Sequence, residues 1–237
     1  MNIKSLYSLY ANHPEGQWVV VPENAESLYK FVKEHPIKKV LDLGTGIGCS
    51  ASIIALALKD KGETDYHIDS VEQWEKCVKI ASDLIPTELK EHITIHQSPV
   101  KVWQTEKIPY QYFSTYETLP EGEYDVILND GPAPMLENDH YIELPNGTIT
   151  KLLLEGKLKP GTFIIWDGRI SALQALERYY GGNFYLAQHT APDFNVLERK
   201  EGEVVFEDIR KENIEKTSTY FKGLSSPLPE KTSDVGG

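Results

Sequence analysis

The segment 38–51 carries a strand, a turn and a helix start in consecutive residues: Lys-Lys-Val-Leu-Asp-Leu-Gly-Thr-Gly-Ile-Gly-Cys-Ser-Ala. Its apolar run from Val40 to Leu43 predicts a buried strand, and residues 50–58 predict the first helix. Between them lie three glycines, which predict a tight turn that bulkier residues could not make: Gly44, Gly46 and Gly48. Such a turn lets a ligand approach the backbone closely, and the helix start offers N–H groups to an anionic group.

Strand patterns alternate with helical patterns along most of the chain. Five strands are predicted at residues 40–43, 66–71, 92–96, 124–128 and 161–166, and residues 92–96 show an alternating pattern. Helices are predicted at residues 22–35, 50–58, 74–84, 149–158 and 170–180. Residues 184–188 and 194–199 predict a closing antiparallel hairpin. The alternation predicts an α/β fold with a doubly wound, mostly parallel sheet and helices on both faces.

Three segments fit this alternation poorly. Residues 1–21 are compatible with a cover over a pocket or with a short strand, and we treat them as an N-terminal extension. Residues 100–123 predict a helix followed by a loop. Residues 22–212 are expected to form the main domain. The Ser-, Thr-, Pro-, Lys- and Gly-rich residues 213–237 are expected to form a flexible tail.

Charge and cysteine content disfavour several classes of protein. The formal net charge is −12, with 36 acidic and 24 basic residues, which disfavours binding to a nucleic-acid backbone. Only Cys49 and Cys77 are present, which indicates a reducing compartment rather than a disulfide scaffold. No apolar run approaches the roughly 20 residues that span a bilayer. We therefore expect a cytoplasmic protein that is not bound to a membrane.

Polar residues follow several predicted strands at the edge where such sheets bind ligands. They are the glycine turn, Glu72, Asp130 and Asp167. The turn lacks the third glycine of a dinucleotide-binding G-x-G-x-x-G motif, because Cys49 occupies that position. It also lacks the Gly-Lys-Ser/Thr ending of a Walker-type phosphate loop.

The turn, with Asp42 two residues before its first glycine, resembles the first motif of class I S-adenosylmethionine-dependent methyltransferases. The resemblance extends through roughly residues 22–200 and implies a seven-stranded, Rossmann-like methyltransferase fold. Glu72 lies 24 residues after Gly48, where a carboxylate can accept both hydroxyl protons of a ribose. A solvated acid at a helix start is the alternative for Glu72.

The closest resemblance is to small-molecule O-methyltransferases of the catechol and caffeoyl-coenzyme A type. Gly-Cys-Ser-Ala at 48–51 is similar to their Gly-Tyr-Ser-Ala, whose serine contacts the methionine carboxylate, so Ser50 takes that role by resemblance. A helix-capping hydroxyl is the alternative for Ser50. The resemblance extends the cofactor site to further residues, of which Ser98 would serve the adenine amino group: Thr45, Gln73, Ser98 and Asp130.

Asp130 and Asp167 are the candidate catalytic residues, because each ends a buried strand on the ligand side. Paired carboxylates suit Mg²⁺ or another divalent cation, which could lower the pKa of a substrate hydroxyl. Two departures from the metal-dependent relatives weaken this metal hypothesis: Gly168 replaces a ligand asparagine and Ala133 replaces a lysine. Without a metal, Asp130 would act as a general base or would orient the substrate. A third alternative is that both aspartates only cap turns.

Three further residues are substrate candidates. Arg169 could hold an anionic group or pair with a nearby acid. His140 and Tyr141 lie in the insert after the fourth strand, where the fold usually places substrate specificity. The resemblance thus implies O-methylation of a small molecule, such as a sugar or secondary metabolite, and it allows a homodimer. A non-catalytic S-adenosylmethionine-binding protein and an NAD-dependent oxidoreductase remain the alternatives.

Overall fold

A computed structural model describes residues 1–132, 135–137, 140–142, 144–167, 172–173, 176, 179–190 and 194–206. Its strands are β1 (Lys39–Leu43), β2 (His67–Glu72), β3 (Ile93–Gln97), β4 (Val100–Thr105), β5 (Ile108–Tyr116), β6 (Val126–Asn129), β7 (Met135–Glu137), β8 (His140–Ile142), β9 (Phe163–Asp167), β10 (Phe184–Thr190) and β11 (Phe194–Arg199). Its helices are α1 (Ile3–Ala11), α2 (Pro22–Glu34), α3 (Cys49–Lys61), α4 (Glu75–Leu84), α5 (Thr87–Lys90) and α6 (Thr148–Leu154). Short 3₁₀ helices cover Gly16–Trp18 and Gly181–Asn183.

The main sheet has seven strands in the order β10-β11-β9-β6-β1-β2-β3. The five strands from β9 to β3 in this order are parallel, whereas β11 pairs antiparallel with β9 and β10 pairs antiparallel with β11. The predicted fold class and the predicted closing hairpin are therefore confirmed. The chain leaves β1 toward β2 on one side and later returns to β6 on the other. This reversal places the glycine turn at the topological switch point, where such sheets bind ligands.

Helices cover both faces of the sheet. On one face, α1, α2 and α3 pack their apolar side chains against Val40, Leu128 and Ile165. Residues 49–58 of α3 are all buried, because this helix lies between the sheet and the two N-terminal helices. On the other face, Leu41 and Ile127 pack against residues of β5, α6 and the helical residues 172–180 that are described. In the described part of the chain, no helix is both long and apolar enough to cross a membrane.

Residues 100–116 correct one prediction. Instead of a helix followed by a loop, they form the antiparallel pair β4–β5. Val100, Val102 and Trp103 in β4 and the aromatic residues of β5 favour extended backbone, while Pro109 disfavours a helix. Phe113 and Tyr116 are buried in the core, as expected for packing residues.

The N-terminal segment contains a helix, α1, and not the short strand that was one of its two predicted alternatives. Helix α1 packs on α3, with Leu6 and Tyr10 fully buried, and the Tyr10 hydroxyl lies 2.5 Å from the Ser52 hydroxyl. Asn2 caps the helix by accepting a hydrogen bond from the Ser5 N–H. Helix α2 begins at Pro22 and ends before Pro36, as predicted. The tail from residue 207 lies outside the described residues.

Candidate cofactor and acceptor site

The glycine turn leaves β1 in a backbone conformation that L side chains rarely adopt. Gly44 and Gly48 have φ values of 104° and 95°. A Cβ atom on Gly44 would lie 2.7 Å from the backbone nitrogen of Gly131, so the turn and the loop after β6 touch through their backbones. The N–H groups of Gly44 and Thr45 both donate to the Val71 carbonyl of β2, at 3.0 and 3.2 Å. These two amides therefore donate within the protein and are not available to bind a phosphate.

Glu72 ends β2 beside this turn, with 3% of its surface exposed. Its Oε2 accepts a hydrogen bond from the Gly46 N–H at 2.7 Å. Its Oε1 accepts from the N–H groups of Gln73 and Trp74, at 2.8 and 3.0 Å. Burial raises the pKa of this carboxyl group, although the three N–H donors act in the opposite direction. The carboxylate is therefore held rigidly next to Gly46, and it is not the solvated acid of the alternative interpretation.

Asp42 lies in β1 beneath the turn and is fully buried. Its carboxylate accepts hydrogen bonds from Ser70 Oγ at 2.6 Å and from Ser50 Oγ at 3.1 Å. Burial raises the pKa of Asp42 to about 6, the two serine hydroxyls lower it, and the nearby charge of Glu72 raises it. Among the described residues, no ion pair involves Asp42 or Glu72. The site thus contains two buried carboxyl groups and no described cation beside them.

Sequence reasoning noted the position of Asp42 but assigned it no role. The available signal was an acid inside the apolar run 40–43, because a buried strand seldom carries a charge without a functional or structural reason. Ser50 lies at the start of α3, as predicted, but its hydroxyl donates to Asp42 and makes no helix-capping hydrogen bond. Thr45 closes the network, because its Oγ1 lies 2.6 Å from Ser70 Oγ.

Three further predicted cofactor residues, Gly48, Gln73 and Ser98, follow the ends of β1, β2 and β3. Gly48 precedes α3 as its N-cap residue. Gln73 contacts the Glu72 carboxylate through its backbone N–H. Ser98 is 1% exposed, and its Oγ accepts a hydrogen bond from the Thr118 N–H at 3.0 Å, which ties the end of β3 to the segment after β5.

The two candidate catalytic residues lie at the ends of neighbouring parallel strands. Asn129 of β6 pairs with Trp166 of β9, so Asp130 and Asp167 follow at adjacent positions of the same sheet edge. The Asp130 N–H donates to the Leu43 carbonyl at 2.9 Å, which fixes this loop to β1. The Oδ1 atom of Asp167 accepts a hydrogen bond from Asn24 Nδ2 at 2.6 Å.

Among the described residues, the donor set near these aspartates is smaller than a site with three protein ligands. Mg²⁺ needs near-octahedral oxygen coordination, and the described residues contain no group of three or more His, Cys, Asp or Glu side chains placed to hold a metal. Asp167 also has an amide donor against one carboxylate oxygen. The next residue in the sequence, Gly168, has no side-chain ligand to add. We therefore derive no chemical step through a metal.

Two asparagines that sequence reasoning missed hold the ends of β6 and β9. Asn24 is fully buried at the start of α2, 143 residues before its partner Asp167. Asn146 donates from Nδ2 to Asn129 Oδ1 at 2.9 Å and also to the Gly131 carbonyl, while its Oδ1 accepts from the Thr148 N–H. No spacing in the sequence signals either contact, because the partners are brought together only by the tertiary fold.

The three predicted substrate residues are only partly described. His140 and Tyr141 belong to β8, which pairs with β7 as a separate two-stranded sheet. Their side chains lie outside the described part of the chain. Arg169 also lies outside the described residues, as do Ala133 and Gly168.

Comparison with known proteins gives matches in structure but not in sequence. No protein-family model matches the chain. No curated protein sequence matches it either. A methyltransferase of Podospora anserina bound to S-adenosylhomocysteine superposes with a TM-score of 0.58 at 13% identity, covering 84% of this chain and 88% of that chain.

Two further solved structures with this fold are O-methyltransferases. One from Bacillus cereus, in complex with S-adenosylhomocysteine, has a TM-score of 0.54 at 14% identity and covers 84% of this chain and 90% of its own. One from Streptomyces achromogenes, involved in tomaymycin synthesis and bound to S-adenosylmethionine, has a TM-score of 0.53 at 11% identity, with coverage of 84% and 89%. The chain therefore has the fold of the S-adenosylmethionine-dependent methyltransferases, which confirms the resemblance at the level of the fold.

Proposed function

We propose that this protein is an S-adenosylmethionine-dependent methyltransferase that methylates a hydroxyl group of a small molecule. The observation that carries the proposal is the pair of buried carboxyl groups at the glycine turn, Asp42 and Glu72. Burying a charge without a partner is unfavourable, so a site that keeps two acids without a described cation is suited to a positively charged ligand. S-adenosylmethionine has an ammonium group, a sulfonium group and a ribose with two hydroxyl donors.

The same contacts argue against a nicotinamide dinucleotide. The anionic pyrophosphate of such a ligand needs free amide donors at the turn, but the N–H groups of Gly44, Thr45 and Gly46 already have acceptors. Asp42 beneath the turn would repel it further. Cys49 occupies the position of the third glycine.

Each residue around the glycine turn would then contact a different part of the cofactor. Glu72, already oriented by three N–H groups, would accept the ribose hydroxyl protons. Asp42 would attract the ammonium group, and Ser50 would turn its hydroxyl toward the methionine carboxylate. Gly44, Gly46 and Gly48 would let the backbone approach the cofactor, with Thr45, Gln73 and Ser98 around it.

The bound cofactor would supply a methyl group on a positively charged sulfur, which is already activated. The acceptor oxygen would form a bond to the methyl carbon as the carbon–sulfur bond breaks and its electron pair returns to sulfur. The protein would hold the acceptor in line, a contribution of about 7–11 kcal/mol in favourable cases. Asp130 would accept the hydroxyl proton as general base, and Asp167 would orient the same hydroxyl.

Several properties of the acceptor and the protein belong to the same proposal. A net charge of −12 favours a small molecule over a nucleic acid. His140, Tyr141 and Arg169 remain candidate residues for acceptor recognition. The two cysteines are free and buried, which fits a reducing, cytoplasmic location. We retain the homodimer as a prediction, as well as the boundaries at residues 22 and 212.

Calorimetric titration with S-adenosylmethionine and S-adenosylhomocysteine tests the proposal. We expect micromolar binding that falls by about ten- to a hundredfold in Glu72→Ala, because a hydrogen bond to a charged group is worth about 1.5–3 kcal/mol. Glu75→Ala is the matched control, because Glu75 is an exposed acid three residues later that pairs only with Lys79 among the described ion pairs. No binding of either compound to the wild-type protein would refute the assignment, and binding of NAD instead would favour the oxidoreductase alternative.

Cofactor binding alone does not distinguish an enzyme from a non-catalytic binding protein. An assay that measures S-adenosylhomocysteine release in the presence of catechols, dihydroxybenzoates and sugars distinguishes an enzyme from a binding protein. An enzyme turns over at least one acceptor class, and Asp130→Ala removes this turnover. A binding protein would give saturable cofactor binding without turnover, and the same variant would behave like the wild type.

A further inference from the structure

Asn24 connects the N-terminal helix α2 to the acceptor edge of the sheet. It lies in the first turn of α2, has no exposed surface, and donates from Nδ2 to Oδ1 of Asp167 at 2.6 Å. An amide nitrogen is a donor only, so the direction of this bond is fixed once the amide is oriented in this way. The bond spans 143 residues of sequence and joins two elements that have no local reason to meet.

This contact has a chemical consequence for Asp167. The hydrogens of an amide group carry partial positive charge, and one of them lies against the Oδ1 atom of Asp167. Coordination of a divalent cation by that oxygen would bring two positive groups together. Among the described residues, no third His, Cys, Asp or Glu joins Asp130 and Asp167 in a metal-binding group, and Gly168 has no side-chain ligand to add.

We propose that the acceptor site works without a metal and that Asn24 is the positioning residue of Asp167. The inference rests on the proposed methyltransferase function and deepens it. In a metal-dependent site the cation fixes the carboxylates and the acceptor oxygen. Here the Asn24 amide fixes the Asp167 carboxylate from the side of α2. The matching acceptor class is a neutral hydroxyl compound that donates a hydrogen bond directly to a carboxylate.

Electron paramagnetic resonance with Mn²⁺, in the presence of S-adenosylhomocysteine, tests the metal-free part without any acceptor. We expect the wild-type protein to leave Mn²⁺ in its free aqueous form. Asn24→Asp removes the amide donor and adds a third carboxylate to the edge that holds Asp130 and Asp167, so it should create Mn²⁺ binding. The double variant Asn24→Asp/Asp167→Asn restores one amide–carboxylate pair in the reverse direction, and it should lose the binding again.

Turnover tests the positioning role. On an acceptor of the wild-type protein, Asn24→Leu should lower the turnover number about ten- to a hundredfold, which is the usual range for a lost hydrogen bond to a charged group. Its affinity for S-adenosylhomocysteine should not change. The double variant recovers folding stability but not turnover, since its carboxylate now lies on α2. Asn183→Leu is the matched control, because Asn183 is a buried asparagine at the opposite edge of the sheet that bonds only to backbone groups among the described contacts.

Each part has an outcome that overturns it. Mn²⁺ binding by the wild-type protein that disappears in Asp167→Asn would refute the metal-free site. Asn24→Asp without any gain in Mn²⁺ binding would refute the idea that the Asn24 amide keeps a cation away, and Asn24→Leu with unchanged turnover would refute the positioning role. These failures leave cofactor binding by the wild-type protein intact. A failure of the proposed function itself would appear earlier, as absence of that binding.

Discussion

Replacement of Asp42 by asparagine removes a buried charge and keeps the size of the side chain. Burial raises the pKa of Asp42 to about 6 from an ordinary value of 3.8. At about 1.36 kcal/mol per pH unit, the ionised form therefore costs about 3 kcal/mol of folding free energy. In the variant, one of the two serine hydroxyls must accept a hydrogen bond instead of donating one, which we put at about 1 kcal/mol. We expect Asp42→Asn to be about 2 kcal/mol more stable than the wild type at pH 7.

The pH dependence gives the sign of this effect. Between about pH 4 and pH 6, folded Asp42 holds a proton that the unfolded chain releases, so wild-type stability falls as the pH rises. Above about pH 6, Asp42 is ionised in both the folded and the unfolded protein, and the stability no longer changes with pH through this group. Below about pH 4 both states are protonated and the cost disappears. The variant lacks this slope, so its advantage should vanish, and become a small loss, as the pH falls to about 4.

Urea unfolding of both proteins across this pH range measures the difference directly. Asp125→Asn is a control of opposite sign. Partial burial alone raises the pKa of Asp125, but the backbone N–H groups of Lys39 and Lys38 and the Lys159 ammonium outweigh it and lower the pKa. Asp125→Asn should thus be destabilised near neutral pH, with a smaller loss in acid. An Asp42→Asn protein that is less stable at pH 7, or whose difference from the wild type does not change with pH, would refute the reasoning.

Two further predictions concern backbone conformation and the packing of helices α1 and α3. Gly44→Ala should lower the free energy of unfolding by more than about 2 kcal/mol, because its Cβ would lie 2.7 Å from the Gly131 nitrogen. Gly62 also has a positive φ but has open space around it, so Gly62→Ala should lower it by only about 1 kcal/mol. Urea unfolding compares the two, and equal losses would contradict the close approach. Tyr10→Phe should cost about 1–2 kcal/mol, because it leaves the buried Ser52 hydroxyl without this partner. An unchanged unfolding midpoint in Tyr10→Phe would contradict that estimate.

The regular part of the fold could be predicted because its signals are local. Mostly apolar runs mark the central parallel strands β1, β6 and β9, which are buried on both faces, and prolines at 22 and 36 mark the two ends of α2. The glycine turn could be predicted because a positive φ leaves few alternatives to glycine. Helix α1 also carried a local signal, the spacing of Ile3, Leu6 and Tyr10 after a capping Asn2, but its short length made it hard to distinguish from a covering segment.

The rest depended on tertiary contacts that no local pattern records. The β4–β5 pair has partly polar strands on a small separate sheet, so its alternation is weak, and Pro109 suggests a loop. The Asn24–Asp167 bond and the hydrogen bonds of Asn146 join elements that are distant in sequence. Short polar side chains such as these fit turns and caps equally well by sequence. Their roles therefore became visible only once the strand order had fixed which ends are neighbours.

The buried charge of Asp42, which destabilises the free protein, should strengthen the binding of the cofactor. If the buried carboxylate attracts the ammonium group of S-adenosylmethionine, its charge is unfavourable in the free protein and favourable in the complex. Affinity should then fall as the pH drops through about 6, where Asp42 takes up a proton. Asp42→Asn should bind about ten- to a hundredfold more weakly at pH 7 and lose most of this pH dependence. Calorimetric titration between about pH 5 and pH 8 measures both proteins, and the Glu72→Gln variant separates the contribution of the second acid. Parallel pH profiles for the wild type and Asp42→Asn would mean that Asp42 only organises the turn through Ser50 and Ser70, and that the buried charge has no part in binding.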